Sequence, residues 1–161
     1  MLIRLGKNQR KVVQRSDHVY EVIRNYLLKQ DKIDQLKEHF FVAALKMNHE
    51  IRYIEVVSIG TLKSTLASPT EIFRRAIMRG NVSSIILAHN HPSGNTNPSA
   101  SDTKLTNRIV KAGELLEIQV LDHLIVTIDN GYYSYADNNR INIYNTVSKE
   151  LIGIGTLTEP F

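Results

Sequence analysis

From Ser16 onward, Val19, Val22, Ile23, Tyr26 and Leu27 fall on one stripe at helical spacing, so the pattern predicts a surface helix. Residues 31–38 are polar and read as a connection. The run 40–47 is apolar and fits a buried strand; 48–50 is a turn, and 51–59 returns as a second strand, making a hairpin. Ser68-Pro69-Thr70-Glu71 then signals a helix start. Serine can cap, proline suits the first helical position, and glutamate can reach back to the cap. Ile72, Phe73, Ala76 and Ile77 are its expected buried face, and Gly80 its left-handed end. A short apolar strand at 84–88 runs into a loop that Pro92 and Gly94 force. The next helix starts at Ser99, with Leu105, Ile109, Ala112 and Leu116 as its apolar stripe. Residues 117–128 hold another strand, Asn130-Gly131 a hairpin turn, and 132–135 the partner strand.

Strands alternating with helices, with hairpins at both ends, predict an α/β layered domain with a mixed sheet. The 161 residues suit one domain with a sizeable core. No apolar run is long enough for a membrane span, and the first residues lack the apolar core of a secretory signal. A cytoplasmic location is the expectation. Cysteine is absent, which excludes disulfides and every thiolate-ligated zinc site; a metal here must be held by His, Asp, Glu or water. The net charge of +4 is uneven: Arg4, Lys7, Arg10, Lys11 and Arg15 precede any acid. Such an arm can touch phosphates or an acidic partner, but a solvated, mobile terminus is the simpler expectation.

The chemistry is concentrated in 88–102, AHNHPSGNTNPSASD. His89 and His91, at i and i+2 where a strand ends, point to the same side of an extended chain. The loop between holds Pro92, Gly94 and Pro98 and can fold back, and Asp102 lies in the first turn of the following helix. Two histidines and one carboxylate leave a fourth tetrahedral place for water, the catalytic pattern for zinc. Hydrolysis then needs a general base and a donor for the developing oxyanion.

His-x-His, seven residues, Ser, two residues, Asp, here His89, His91, Ser99 and Asp102, resembles the JAMM motif of MPN-domain metalloproteases. HNHPSG, the PS…SD after it, Gly60-Thr61 and LDHLIV at 121–126 are similar to the RadC family, and the similarity runs from about Phe40 to about Tyr135. The resemblance implies an MPN/JAB-like three-layer α/β fold with a mixed sheet, related to the cytidine deaminases. Its domain would span 39–136, after a basic arm and helix at 1–38 and before a tail at 137–161. It implies one zinc ion on His89, His91 and Asp102, with Ser99 as the oxyanion-side donor. It also implies an upstream glutamate as general base: Glu55, five residues before the Gly-Thr pair, with Glu50 as competitor. The implied activity is hydrolysis of a peptide or isopeptide bond, with a peptide or protein as substrate. Longer members carry a helix-hairpin-helix-like region before this domain, which the residues before Phe40 do not contain.

Simpler roles stand beside these. Ser99 and Asp102 also fit a capping box. Glu55 also fits a solvent-facing strand position. His123, on a strand, is expected in the core or behind the ligands rather than on the metal. A second functional class is a DNA-repair-associated protein that binds DNA or a protein partner and keeps a structural or vestigial metal site; the basic arm motivates it. Base deamination is disfavoured, because the histidine-glutamate and paired-cysteine zinc signature is missing. The sequence does not indicate an oligomeric state.

Overall fold

The computed structural model describes residues 1–6, 9, 12–60 and 67–141. Helix α1 (Ser16–Leu27) and a one-turn helix α2 (Lys32–Gln35) lead into strands β1 (His39–Leu45) and β2 (Ile51–Ile59). Helix α3 (Pro69–Arg79), strand β3 (Ser84–Asn90), helix α4 (Ala100–Leu115) and strands β4 (Gln119–Val126) and β5 (Tyr132–Ser134) follow. The strands form one sheet in the order β2-β1-β3-β4-β5. β1 runs antiparallel to β2 and to β3, β4 runs parallel to β3, and β5 closes antiparallel on β4. The parallel step needs a crossover, and α4 supplies it.

Strand alternation sorts the apolar side chains into two cores. Phe40, Val42 and Ala44 of β1 meet Ile72, Phe73 and Ala76 of α3 and Ile109 of α4. Phe41, Ala43 and Leu45 meet Val19, Val22, Ile23 and Leu27 of α1 on the other face. The domain is therefore a mixed sheet between two helical layers, as the apolar rhythm predicts. β1 and β3 are buried along their whole length, which is why they read as unbroken apolar runs. Each fully buried Leu, Ile or Phe contributes about 1.5–3 kcal/mol.

A bulge in β4 decides which way its polar residues face. Ile85 pairs with Val120 but Ile86 with Asp122, so Leu121 is an extra residue. The bulge restores the alternation such that Asp122 faces α1 and His123 faces α4. Gly113 lets α4 approach closely: a Cβ there would stand 2.6 Å from the Ile118 carbonyl oxygen.

Several expectations are corrected. Ser68 caps α3 through the Glu71 amide, but the Glu71 carboxylate turns to Arg74 instead of reaching back. Ile77 is 58% exposed and Leu116 42%, so neither belongs to the core. The buried face of α4 is Asp102, Thr106, Ile109 and Gly113, rotated from the apolar stripe toward the polar residues of the site. The polar stretch 31–38 contains α2, capped by Asp31. The start of the chain is not a free arm. The Met1 and Leu2–Ile3 backbone runs antiparallel beside β2, with Ile3 N donating to Ile54 O at 2.9 Å, and Val13 N donates to His49 O at 2.9 Å. Lys7, Arg10, Lys11, Thr61 and the tail from 142 lie outside the described residues.

Candidate metal centre

The carboxyl ends of the parallel strands β3 and β4 meet the N-terminus of α4, a place where α/β sheets gather ligands. β3 stays extended through Asn90, two residues beyond the predicted strand end. His89 is thereby fully buried on the α4 side, while His91 follows at the strand's exit, half-buried, with its amide on the Val126 carbonyl at 3.0 Å. Asn90 points to the opposite face and ties β3 to the start of β1. Its Oδ1 accepts from His39 N at 2.6 Å, and its Nδ2 donates to Lys37 O at 3.0 Å.

His91 Nδ1 lies 2.8 Å from the Asn95 carbonyl oxygen, which can only accept, so Nδ1 carries the proton and Nε2 presents a lone pair. Nε2 of His89 lies 2.9 Å from Nε2 of His91. Asp102 adds its carboxylate, with Oδ1 3.3 Å from His89 Nε2 and Oδ2 3.6 Å from His91 Nε2. The three side chains therefore offer ligand atoms all within 4.8 Å of one another. Acceptors gathered so closely repel one another unless a cation or a proton sits among them. Two imidazole nitrogens and a carboxylate oxygen, without sulfur, suit a first-row divalent ion, zinc among them. His89, His91 and Asp102 are thus brought together, and the donor set fits one divalent ion.

Ser99 caps α4. Its Oγ accepts from Asp102 N at 3.1 Å, and Asp102 Oδ2 accepts from Ser99 N at 2.8 Å, a full capping box. The Ser99 hydroxyl also donates to Oδ2 at 2.6 Å. Serine thus holds one carboxylate oxygen from two sides and leaves Oδ1 turned to His89. Its proton is engaged by Asp102, so service to an oxyanion requires the hydroxyl to rotate.

The charges agree with this geometry. Burial opposes ionisation of Asp102, but His89 and His91, when a proton takes the place of a cation between them and the carboxylate, and the hydrogen bond from Ser99 outweigh it and hold the carboxyl well below the usual range. His91 is shifted upward, chiefly by its hydrogen bond to Asp102 against the opposing effect of burial, with smaller contributions from Asn95 and from the charges of Asp102 and Glu38. His123 is fully buried behind His89, with Nε2 2.9 Å from His89 Nδ1, and burial first of all keeps its ring neutral. It stands in the core behind His89, as expected, and Thr106 on α4 lies 2.6 Å from its Nδ1.

Two glutamates take different positions. Glu55 pairs across from Val42 on β2, and its Oε1 lies 2.7 Å from Arg75 Nη2 and 3.9 Å from the N-terminal amine. The structure does not bring it into the His89-His91-Asp102 cluster. Glu50, at the β1–β2 turn, pairs with Lys46 at 3.0 Å. Glu38, immediately before β1, is close enough to His91 for its charge to help raise that histidine, and its carbonyl accepts from Gly60 N at 2.9 Å. Sequence reasoning missed Glu38 because it sits in a polar run read as a connection. It missed Thr106 because a lone threonine in a helix carries no signal.

A mixed sheet between helical layers, with two histidines and an aspartate converging where its parallel strands end, has the build of a metal-binding α/β domain. The RadC-like JAB domain matches residues 13–140, and the chain belongs to that family. A UPF0758 protein of Chlorobium phaeovibrioides is 38% identical over 136 residues, 84% of this chain and 58% of that protein. A UPF0758 protein of Alkaliphilus metalliredigens is 48% identical over 103 residues, 64% of this chain and 44% of the relative. A third, from Thermosynechococcus vestitus, is 49% identical over 107 residues, 66% of this chain and 42% of the relative. The chain spans about half the length of the curated relatives it matches. The JAB-like α/β fold expected from the sequence is borne out. No helix among the described residues is long and apolar enough to cross a membrane.

Proposed function

We propose that the chain is a zinc-dependent hydrolase of the JAMM type that cleaves a peptide or isopeptide bond. The observation that carries this reading is the meeting of His89 Nε2, His91 Nε2 and the Asp102 carboxylate, all acceptors, within the reach of one ion. An ion held there supplies Lewis acidity and brings the pKa of a bound water to about 7. His91 is the partly exposed member, so water and substrate approach from its side.

The base must stand on that open side. Glu38, whose charge reaches His91, is the base in the present reading. The family resemblance assigns the role to Glu55 instead; that carboxylate would first have to leave Arg75 and the N-terminal amine. Ser99 keeps Asp102 aimed, and by rotating its hydroxyl it can donate to the substrate oxygen.

Elemental analysis beside a peptidase screen over a peptide library tests this reading. Wild type should hold zinc and cleave. Asp102→Ala should lose both tight zinc and turnover. Glu38→Gln should keep zinc and lose turnover by about 10²–10⁴-fold, the usual weight of a general base. Glu55→Gln should keep both. Loss of turnover in Glu55→Gln with an active Glu38→Gln would give the base role to Glu55. Full zinc in Asp102→Ala would remove the ligand assignment.

A further inference from the structure

We infer that Thr106 and His123 are positioning residues that fix the tautomer of His89, so that its Nε2 and no other ring atom is offered to the ion. The inference rests on the metal-binding reading above and adds a proton chain that determines it.

The chain starts at an atom that can only accept. Thr106 Oγ1 donates to the Asp102 backbone carbonyl at 2.7 Å. A hydroxyl has one proton. With that proton spent, Oγ1 can only accept, and His123 Nδ1, 2.6 Å away, must donate to it. A neutral imidazole that donates through one nitrogen accepts through the other, so His123 Nε2 accepts. Its partner at 2.9 Å is His89 Nδ1, which therefore carries the proton. His89 is left with a lone pair on Nε2, the atom 3.3 Å from Asp102 Oδ1 and 2.9 Å from His91 Nε2.

The path closes on itself. Asp102 provides the carboxylate at one end and, through its own main-chain carbonyl, Thr106 and His123, sets the proton on His89 at the other. His89, Thr106 and His123 are all fully buried, so water does not compete for these bonds. The outer ligand His91 is set separately, by the Asn95 carbonyl. The bulge in β4 is what allows the arrangement, since without the extra Leu121 the His123 side chain would face α1.

The substitutions that test this are Thr106→Val, which keeps shape and removes the hydroxyl, and Thr106→Ser, which keeps the hydroxyl. Cobalt(II) is titrated into each metal-free protein, with absorption in the visible reporting affinity and ligand geometry. Thr106→Val should bind cobalt about 10–100-fold more weakly, the usual weight of a residue behind a ligand, with an altered spectrum. Thr106→Ser should restore both affinity and spectrum. Long-range 1H–15N correlation spectra of the zinc-titrated wild type should place the His89 ring proton on Nδ1, a readout that needs no variant to fold. A His89 proton on Nε2, or a Thr106→Val protein with wild-type cobalt affinity and spectrum, would overturn the inference while leaving the metal site standing. Failure of the wild type to bind cobalt at all would remove the metal site and the positioning role with it.

Discussion

Two buried aspartates are surrounded in opposite ways. Asp122 is enclosed by donors: Ser16 Oγ and Ser134 Oγ at 2.7 Å to Oδ2, and its neighbour's amide His123 N at 2.7 Å and Ala136 N at 2.9 Å to Oδ1. It joins the start of α1 to the end of β5 and needs nothing more. Asp102 has donors on Oδ2 only, from Ser99, and turns Oδ1 toward a histidine nitrogen that the proton chain leaves without a proton. The first is a staple, and the second faces ligand atoms that a cation could join. A buried carboxylate becomes informative about function when the partners it faces are acceptors, since only a cation or a proton satisfies that arrangement.

Substitution of the two aspartates should give opposite losses. Asp102→Ala should lower zinc affinity by more than the roughly 10–100-fold of a residue behind a ligand, as followed by calorimetric titration, while the metal-free fold loses only about 1–2 kcal/mol, the weight of its capping box. Asp122→Ala should do the reverse. It strands two hydroxyls and two amides in the interior, at about 1–3 kcal/mol for each donor left without a partner, and a denaturant titration should show a loss of several kcal/mol. A metal-free Asp102→Ala protein that unfolds as readily as Asp122→Ala would erase the distinction.

Acid separates the pair next. In the metal-free protein the folded pKa of His91 is raised above 6.5 by Asp102. Its proton therefore stabilises the fold fully below the unfolded pKa, and that contribution is lost as pH rises through the folded value. Zinc must displace the same proton, so its apparent affinity should climb with pH across this window and level off above it. Asp102 has the opposite sign: its folded pKa is depressed, so its contribution is present above 3.8 and lost only in strong acid. Asp122 is raised by burial, with the Ser134, Ala136, Ser16 and His123 hydrogen bonds opposing. Its ionisation thus works against the fold as pH rises through its folded value, and zinc should not change that. Calorimetry at several pH values, with and without zinc, reads these slopes.

Smaller effects mark the packing around the site. Gly113→Ala should cost about 1–3 kcal/mol, because its methyl would meet the Ile118 carbonyl at 2.6 Å. Ile77→Thr should change stability by less than about 0.5 kcal/mol, since that side chain is exposed.

Helix α4 and its neighbours show what was legible in the sequence. The apolar rhythm located every long element, because strands buried on both faces and capped helices leave strong local signatures; β2 and the Ser68 cap fall where they were expected. It misjudged the helix faces beside the site. α4 turns Asp102 and Thr106 inward, so its buried face is polar in part and the apolar stripe points elsewhere. The residues of the candidate metal site were legible because their spacing is local, with strand, loop and helix start all contained in 89–102. Glu38 and Thr106 were obscure, since their neighbours are set only when β1 and α4 are brought beside β3, whereas His123, expected in the core or behind His89, lies there.

Metal stoichiometry is the deciding measurement. The purified protein and its Asp102→Ala variant are freed of metal, titrated with zinc at neutral pH, and assayed by calorimetry and elemental analysis. One tightly held ion per chain in the wild type and none in the variant is the expected result. Equal tight binding in both, or none in the wild type, would contradict it.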